Sequence, residues 1–191
     1  LDEAVQLLAR YGGNARVLSG GQSLIPMLNF RLLAPEALVD LRRVPGLAEI
    51  LIVQDRLCIG AMTRQRAAEN SDLVSRHLPL MKEALGWVGH LPTRSRGTIG
   101  GSIAHADPSA ELPMILLALD GAVVAAGISG ERVVAADDLF SSFFTTTLAP
   151  TEILSEVRIP IMPPRSGFAV EEFARRKGDF AIVGVAVVLE G

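Results

Sequence analysis

Two short segments carry the residue types of a phosphate cradle. Ser19-Gly20-Gly21-Gln22-Ser23 and Thr98-Ile99-Gly100-Gly101-Ser102 each set tandem glycines among small hydroxyl side chains, and the first adds an amide. Glycine reaches positive φ and brings no Cβ. Consecutive backbone N–H groups can then converge on one anion. Two such segments far apart in the chain suggest one extended ligand gripped at two places, and a dinucleotide fits that description. Neither contains G-x-G-x-x-G, so a nicotinamide-binding Rossmann unit is not what they suggest. Taken alone, the first segment is equally compatible with an ordinary strand-to-helix turn.

The elements that must position these segments follow from the apolar pattern. Ala4, Val5, Leu7, Leu8 and Tyr11 fall at helical spacing, and Gly12-Gly13 supply a stop. Ala15-Arg16-Val17-Leu18 predicts a short strand entering the first glycine segment. Ser23 is the expected N-cap of a helix through Leu24-Ile25-Pro26-Met27-Leu28, where proline is tolerated in the first turn. Strand, glycine loop and helix start together make an anion site. Ala37-Leu38-Val39-Asp40-Leu41 adds a second strand, so residues 1–48 read as a small α/β lobe with a parallel pair. A hairpin is expected over 49–60, and a helical stretch from Thr63 to Val88, broken near Asn70-Ser71 and Pro79. Residues 89–101 hold the second glycine segment and few helix formers, which predicts a loop. Helix is expected again over 108–119, a hairpin over 122–134, and strands over 152–159, 168–174 and 181–189. Residues 49–191 therefore form a larger lobe with a mainly antiparallel sheet, and the fold class is α+β.

Composition narrows the function. Of 191 residues, 49% are hydrophobic and 20% charged, as a globular core requires. The net charge of −3 gives no footprint for nucleic acid. Cys58 is the only cysteine, so a four-cysteine iron–sulfur or zinc site cannot be assembled from these residues alone. Its strand-like surroundings predict a buried structural thiol. His77, His90 and His105 lack ligand spacing. No apolar run is long enough to cross a membrane and no signal-peptide pattern is present, so a cytoplasmic location is expected. The chain starts at Leu1 inside a helical pattern and stops at Gly191 after an apolar run, which reads as part of a longer protein.

Three ordered motifs give the chain a family resemblance. Arg16-Val17-Leu18-Ser19-Gly20-Gly21-Gln22-Ser23-Leu24-Ile25-Pro26 resembles the first flavin-binding motif of the medium subunits of molybdenum hydroxylases, of the carbon monoxide dehydrogenase and xanthine dehydrogenase types. The run from Arg96 to Pro113, with Thr98-Ile99-Gly100-Gly101-Ser102 at its centre, is similar to the second motif. Phe173-Ala174-Arg175-Arg176-Lys177-Gly178-Asp179-Phe180-Ala181 resembles a third. The resemblance implies a two-lobed FAD-binding fold of the vanillyl-alcohol oxidase type, lacking here the family's C-terminal α+β domain. It implies FAD in this chain, a molybdenum cofactor in a large partner subunit, and [2Fe–2S] clusters in a small partner subunit. It also implies electron flow from those clusters through the flavin to an external acceptor.

The cofactor contacts implied are Val17, Leu18, Ser19, Gly20, Gly21, Gln22, Ser23 and Leu24 in the first motif, and Thr98, Ile99, Gly100, Gly101 and Ser102 in the second. Glu111, Leu154 and Asp179 complete the set; Val88 lies where relatives carry an aromatic near the ring. Each has a plainer role as well. Glu111 suits a helix N-terminus, worth about 0.3–1 kcal/mol. Leu154 suits a core, and His105 and Asp107 suit loop-fixing hydrogen bonds. Glu171 and Glu172 stand where the family often has a lysine. No convincing catalytic acid or base accompanies the motifs, which suits a redox relay. A flavin-free scaffold, a stand-alone flavin oxidase of the same fold and a flavin-free nucleotide binder are the alternatives.

Overall fold

The apolar residues at the start of the chain form helix α1 (Asp2–Arg10), whose Ala4, Val5 and Leu8 are buried. The computed structural model describes residues 1–189; Glu190 and Gly191, the last two residues of the larger lobe as delimited from sequence, lie outside the described residues. Strand β1 (Ala15–Leu18) follows, then α2 (Leu24–Asn29), then β2 (Ala37–Asp40). β1 and β2 pair in parallel, Ala15 opposite Ala37 and Leu18 opposite Asp40. A 3-10 turn, Leu41–Arg43, is capped by the Asp40 carboxylate, which accepts from the Arg42 N–H.

The larger part begins with the hairpin β3 (Ile50–Val53) and β4 (Arg56–Gly60). The helical stretch after it breaks where Asn70-Ser71 and Pro79 predict. It gives α3 (Gln65–Glu69), α4 (Asp72–His77) and α5 (Pro79–Leu85). Ser71 caps α4 through its hydroxyl, and Pro79 opens α5 where a missing N–H costs nothing. Next come α6 (Leu91–Arg96), α7 (Ile99–His105) and α8 (Glu111–Ala118). β5 (Ala122–Gly127), β6 (Gly130–Ala135), α9 (Ala136–Leu139), β7 (Phe140–Ser142) and β8 (Thr145–Thr146) precede the strands β9 (Ile153–Pro160), β10 (Gly167–Phe173) and β11 (Val183–Leu189). The main sheet is ordered β3-β4-β9-β5-β6 and is antiparallel throughout; β10 and β11 form a separate antiparallel pair.

Leu57, Ile59, Val123, Val157 and Ile159 from the sheet meet Leu80, Leu85, Ile99, Ile103 and Ile115 from the helices in one apolar core. A second cluster joins Val5, Leu8, Val39 and Leu41 of the first lobe to Met62, Ala126 and Ile153. Those last three residues lie beyond the lobe boundary expected from sequence, so residues 1–48 share apolar surface with β5 and β9 of the main sheet. Cys58 is buried in β4, and burial pushes its thiol up from the ordinary value, with Glu156 adding to the shift.

Four expectations need correction. Residues 89–101 are not a loop: α6 and the first turn of α7 occupy most of them, because packing overrides the weak helix propensity of glycine and serine. Ser23 stands at the N-cap of α2 but makes no capping bond; its ψ of −48° is already helical. α9 and the β7–β8 hairpin were not legible in the apolar pattern. The run 181–189 is not a buried strand. Val183, Val185, Val187 and Leu189 face outward, while Gly184, Ala186 and Val188 turn toward α8 and the core. No helix among the described residues is long and apolar enough to cross a membrane.

Candidate functional site

The two glycine motifs meet. A Cβ added at Gly20 would overlap the Arg96 carbonyl oxygen and crowd the Gly97 Cα, so the first loop lies backbone to backbone against the end of α6. A Cβ at Gly101 would stand 3.4 Å from the Ser19 Cβ and 2.6 Å from the Thr98 Oγ1. The Gly20 approach depends on a missing side chain; at Gly101 the residue that a side chain would meet is its own cap, Thr98, and Ser19 stands at ordinary contact distance. Gly21 supplies the one positive φ of the set, +74°, which turns the chain from β1 into α2.

The motifs differ in what they leave open. Among the described residues, the N–H groups of Gly20, Gly21, Gln22 and Ser23 have no acceptor within the protein. At the second motif the four N–H groups from Ile99 to Ser102 are spoken for. Ile99 donates to the Thr63 carbonyl at 3.0 Å and Gly100 to the Ala61 carbonyl at 3.0 Å. Gly101 donates to the Thr98 hydroxyl at 3.1 Å and Ser102 to the Thr98 carbonyl at 3.2 Å. The expectation that both glycine pairs aim free N–H groups at a phosphate is therefore corrected for Ile99, Gly100, Gly101 and Ser102. Ile99 is fully buried and Gly100 packs on Ala61. What this turn offers a ligand is a surface without Cβ at Gly101 and the hydroxyl of Ser102.

Around the first motif, Val17, Leu18, Ser19, Gly20, Gly21, Ser23 and Leu24 are half-buried and Gln22 is exposed. Leu154 is 6% exposed and belongs to the main core. Asp179 sits in the turn after β10, where its carboxylate accepts from the Arg176 Nε at 3.2 Å. The neighbouring Gly178, at φ +88°, lies against the imidazole of His90, so the third motif packs on the residue that opens α6. α6 thus connects the third motif, at its start, to the first motif, at its end. Its six residues span about 9 Å.

Glu111 opens α8 half-buried and without an ion-pair partner among the described residues. Burial pushes its carboxyl up to about 7; Glu172 and Asp107 push the same way, while its own N–H and Arg94 oppose them. Burial also raises Glu172. Arg94 is committed elsewhere: its Nε binds Glu69 at 3.0 Å and its Nη1 binds the Val88 carbonyl at 2.9 Å. That bond fixes the segment carrying Val88, which is itself 8% exposed. A cavity of about 680 Å³ opens beside the start of α8, lined among others by Asp107, Ala110, Met114, Phe140 and Phe143, and it does not touch the first motif. Asp107 makes a loop-fixing bond, accepting from the Ser109 N–H at 2.9 Å, whereas His105 makes a tilted ring contact with Phe144 at 5.3 Å instead of the hydrogen bond expected of it. Sequence reasoning missed Arg64 and Gln65 as organisers of the site; no motif marks them, because they donate to backbone carbonyls 32 residues away.

The first motif is an anion-receptive loop, and the carboxyl groups of Glu111 and Asp107 lie at and before the start of α8, beside the cavity there. Comparison with known proteins defines the protein's class. Residues 1–162 match the family described as the FAD binding domain in molybdopterin dehydrogenase, and the chain belongs to that family. It is 47% identical over 189 residues to the 6-hydroxypseudooxynicotine dehydrogenase complex subunit alpha of Paenarthrobacter nicotinovorans, covering 99% of this chain and 64% of that protein. It is 39% identical to the carbon monoxide dehydrogenase medium chain of Hydrogenophaga pseudoflava, covering 98% of this chain and 65% of that one. The solved Hydrogenophaga pseudoflava carbon monoxide dehydrogenase superposes with a TM-score of 0.97 over 99% of this chain and 66% of that chain. Quinoline 2-oxidoreductase from Pseudomonas putida 86 superposes at 0.93, with 41% identity, over 97% of this chain and 64% of that chain. The chain thus spans a little under two thirds of the length of these relatives.

Proposed function

We propose that this chain holds FAD as the electron-transfer domain of a molybdenum hydroxylase complex. It would receive electrons from [2Fe–2S] clusters of a small partner subunit and pass them to an external acceptor, while a molybdenum cofactor in a large subunit oxidises the substrate. The observation that carries the reading is the first glycine loop, with four consecutive N–H groups lacking acceptors, pressed against the second motif. A diphosphate supplies the acceptors those groups lack. The unsatisfied donors at Gly20, Gly21, Gln22 and Ser23 are the chemistry a diphosphate needs, so the residues present fit the cofactor.

Gly20, Gly21, Gln22 and Ser23 would donate to the phosphates, with Val17, Leu18, Ser19 and Leu24 forming the walls. Thr98, Ile99, Gly100, Gly101 and Ser102 would act as a platform, in contact through Gly101 and Ser102. Glu111 and Asp179 would lie toward the ring, where a protonated Glu111 can donate a hydrogen bond; Leu154 would serve from the core behind. Bound FAD supplies reversible two-electron chemistry that can also proceed one electron at a time. The chain's own part is to bind the phosphates, exclude water at the platform and hold a proton at Glu111. Since residues 1–191 contain one cysteine, the clusters need ligands from elsewhere. We place the complex in the cytoplasm and assign no nucleic-acid partner. The test is copurification from the native source. A yellow complex containing iron, molybdenum and FAD supports the reading, and a colourless chain, or one that oxidises an organic substrate alone with FAD, overturns it.

A further inference from the structure

Residues 64–65 grip the segment that backs the first glycine loop. Arg64 forms an antiparallel bridge with Thr98, and its guanidinium donates to the Arg96 carbonyl. Gln65, 4% exposed, donates its N–H to the Gly97 carbonyl at 2.9 Å and lays its Oε1 against Gly97, where that oxygen has no donor. The Arg96 carbonyl is the one that Gly20 packs against. The Arg64 charge therefore stands one hydrogen bond and one van der Waals contact from the first loop.

The charges there do not balance. Burial together with the neighbouring charges of Arg96 and Arg42 lowers Arg64 from its ordinary value. Asp40 is the acid among them, and it is held by Arg42 at 2.6 Å. Arg64 and Arg96 have no carboxylate partner among the described residues. Arg64 is half-buried while Arg42 and Arg96 are exposed, and a half-buried cation without a carboxylate is stabilised by an anion.

We infer that Arg64 is a positioning residue for the cofactor's diphosphate: it holds the Arg96 carbonyl against Gly20 and supplies, with Arg96, the positive charge that the phosphates neutralise. This rests on the FAD reading above. The experiment uses the complete chain freed of flavin, with Arg64→Met and Arg64→Lys variants, titrated with FAD, ADP and riboflavin by fluorescence at low and high salt. Arg64→Met should weaken FAD and ADP about tenfold and flatten their salt dependence. Riboflavin, which has no phosphate, should bind unchanged, and Arg64→Lys should recover most of the FAD affinity. Unchanged FAD binding in Arg64→Met overturns the inference, as does an equal loss of riboflavin, which would mark a general structural defect. A wild-type chain that takes up no FAD instead overturns the reading on which the inference rests.

Discussion

The two glycine motifs have nearly the same composition and opposite physics. Gly20-Gly21 lies in an open loop: one glycine turns the chain through positive φ, and four N–H groups wait for an acceptor. Gly100-Gly101 lies in the first turn of a helix, with every N–H already satisfied. In the first, Gly20 serves packing against Arg96 while Gly21 turns the chain and leaves the donors open. In the second the glycines serve packing alone, letting α7 press on Ala61 and letting Thr98 cap the helix at Gly101. A tandem glycine is therefore evidence of close approach, and only its hydrogen-bond inventory says what is approaching.

Substitutions can break this contrast. The largest effect is expected at Gly21→Val, which is strained at φ +74° and lines the open loop. FAD affinity in the complete chain should fall at least about a hundredfold, roughly 2.7 kcal/mol, while the ligand-free melting temperature moves less. Equilibrium titration with FAD checks it, and wild-type affinity would refute the loop as the phosphate site. Gly100→Ala should do the reverse. Its methyl overlaps Ala61 in the core, so ligand-free stability should drop by about 1–3 kcal/mol in denaturant melts. A variant as stable as the wild type would show that α7 is not close-packed there.

Glu111→Gln tests the carboxyl end. Its folded-state value is raised, so its contribution is present below about 4.5 and is lost as pH rises through about 7. Ligand-free wild type should therefore lose on the order of 1–2 kcal/mol of stability between pH 5 and 8 that the Gln variant keeps, allowing for its partial exposure. Parallel pH–stability curves for the two would sink the assignment. The smallest contrast is between caps. Thr98→Ala removes the bond to the Gly101 N–H and should cost about 1 kcal/mol, whereas Ser23→Ala removes no cap and should stay within about 0.5 kcal/mol. Equal losses at the two positions would erase the distinction between a built helix start and an open loop.

Much of the fold was legible because local signals agreed with it. The α-β-α-β start, the breaks at Asn70-Ser71 and Pro79 and the hairpin over 50–60 all follow from apolar spacing and turn residues whose effects reach only a few positions. The three motifs likewise marked the residues that come together, since Gly20, Gly101 and Gly178 each sit where a side chain would collide. The sequence could not say that 91–105 is helical, because burial of Ile99 and Ile103 outweighs the poor propensity of the glycines between them.

By itself, the sequence determined which segments lack side chains, which strands alternate and that one cysteine cannot ligate a cluster. The tertiary structure alone decided which glycine motif keeps its N–H groups open and that α6 bridges the first and third motifs. It also decided that Arg64 grips the backbone beside Gly20 and that Glu111 is driven toward its neutral form. The contacts of Arg64 with Arg96, Gly20 with Arg96 and Gly178 with His90 join groups 32, 76 and 88 residues apart within a few ångströms. Hydrogen-bond satisfaction and desolvation act at that range, and no local pattern encodes them.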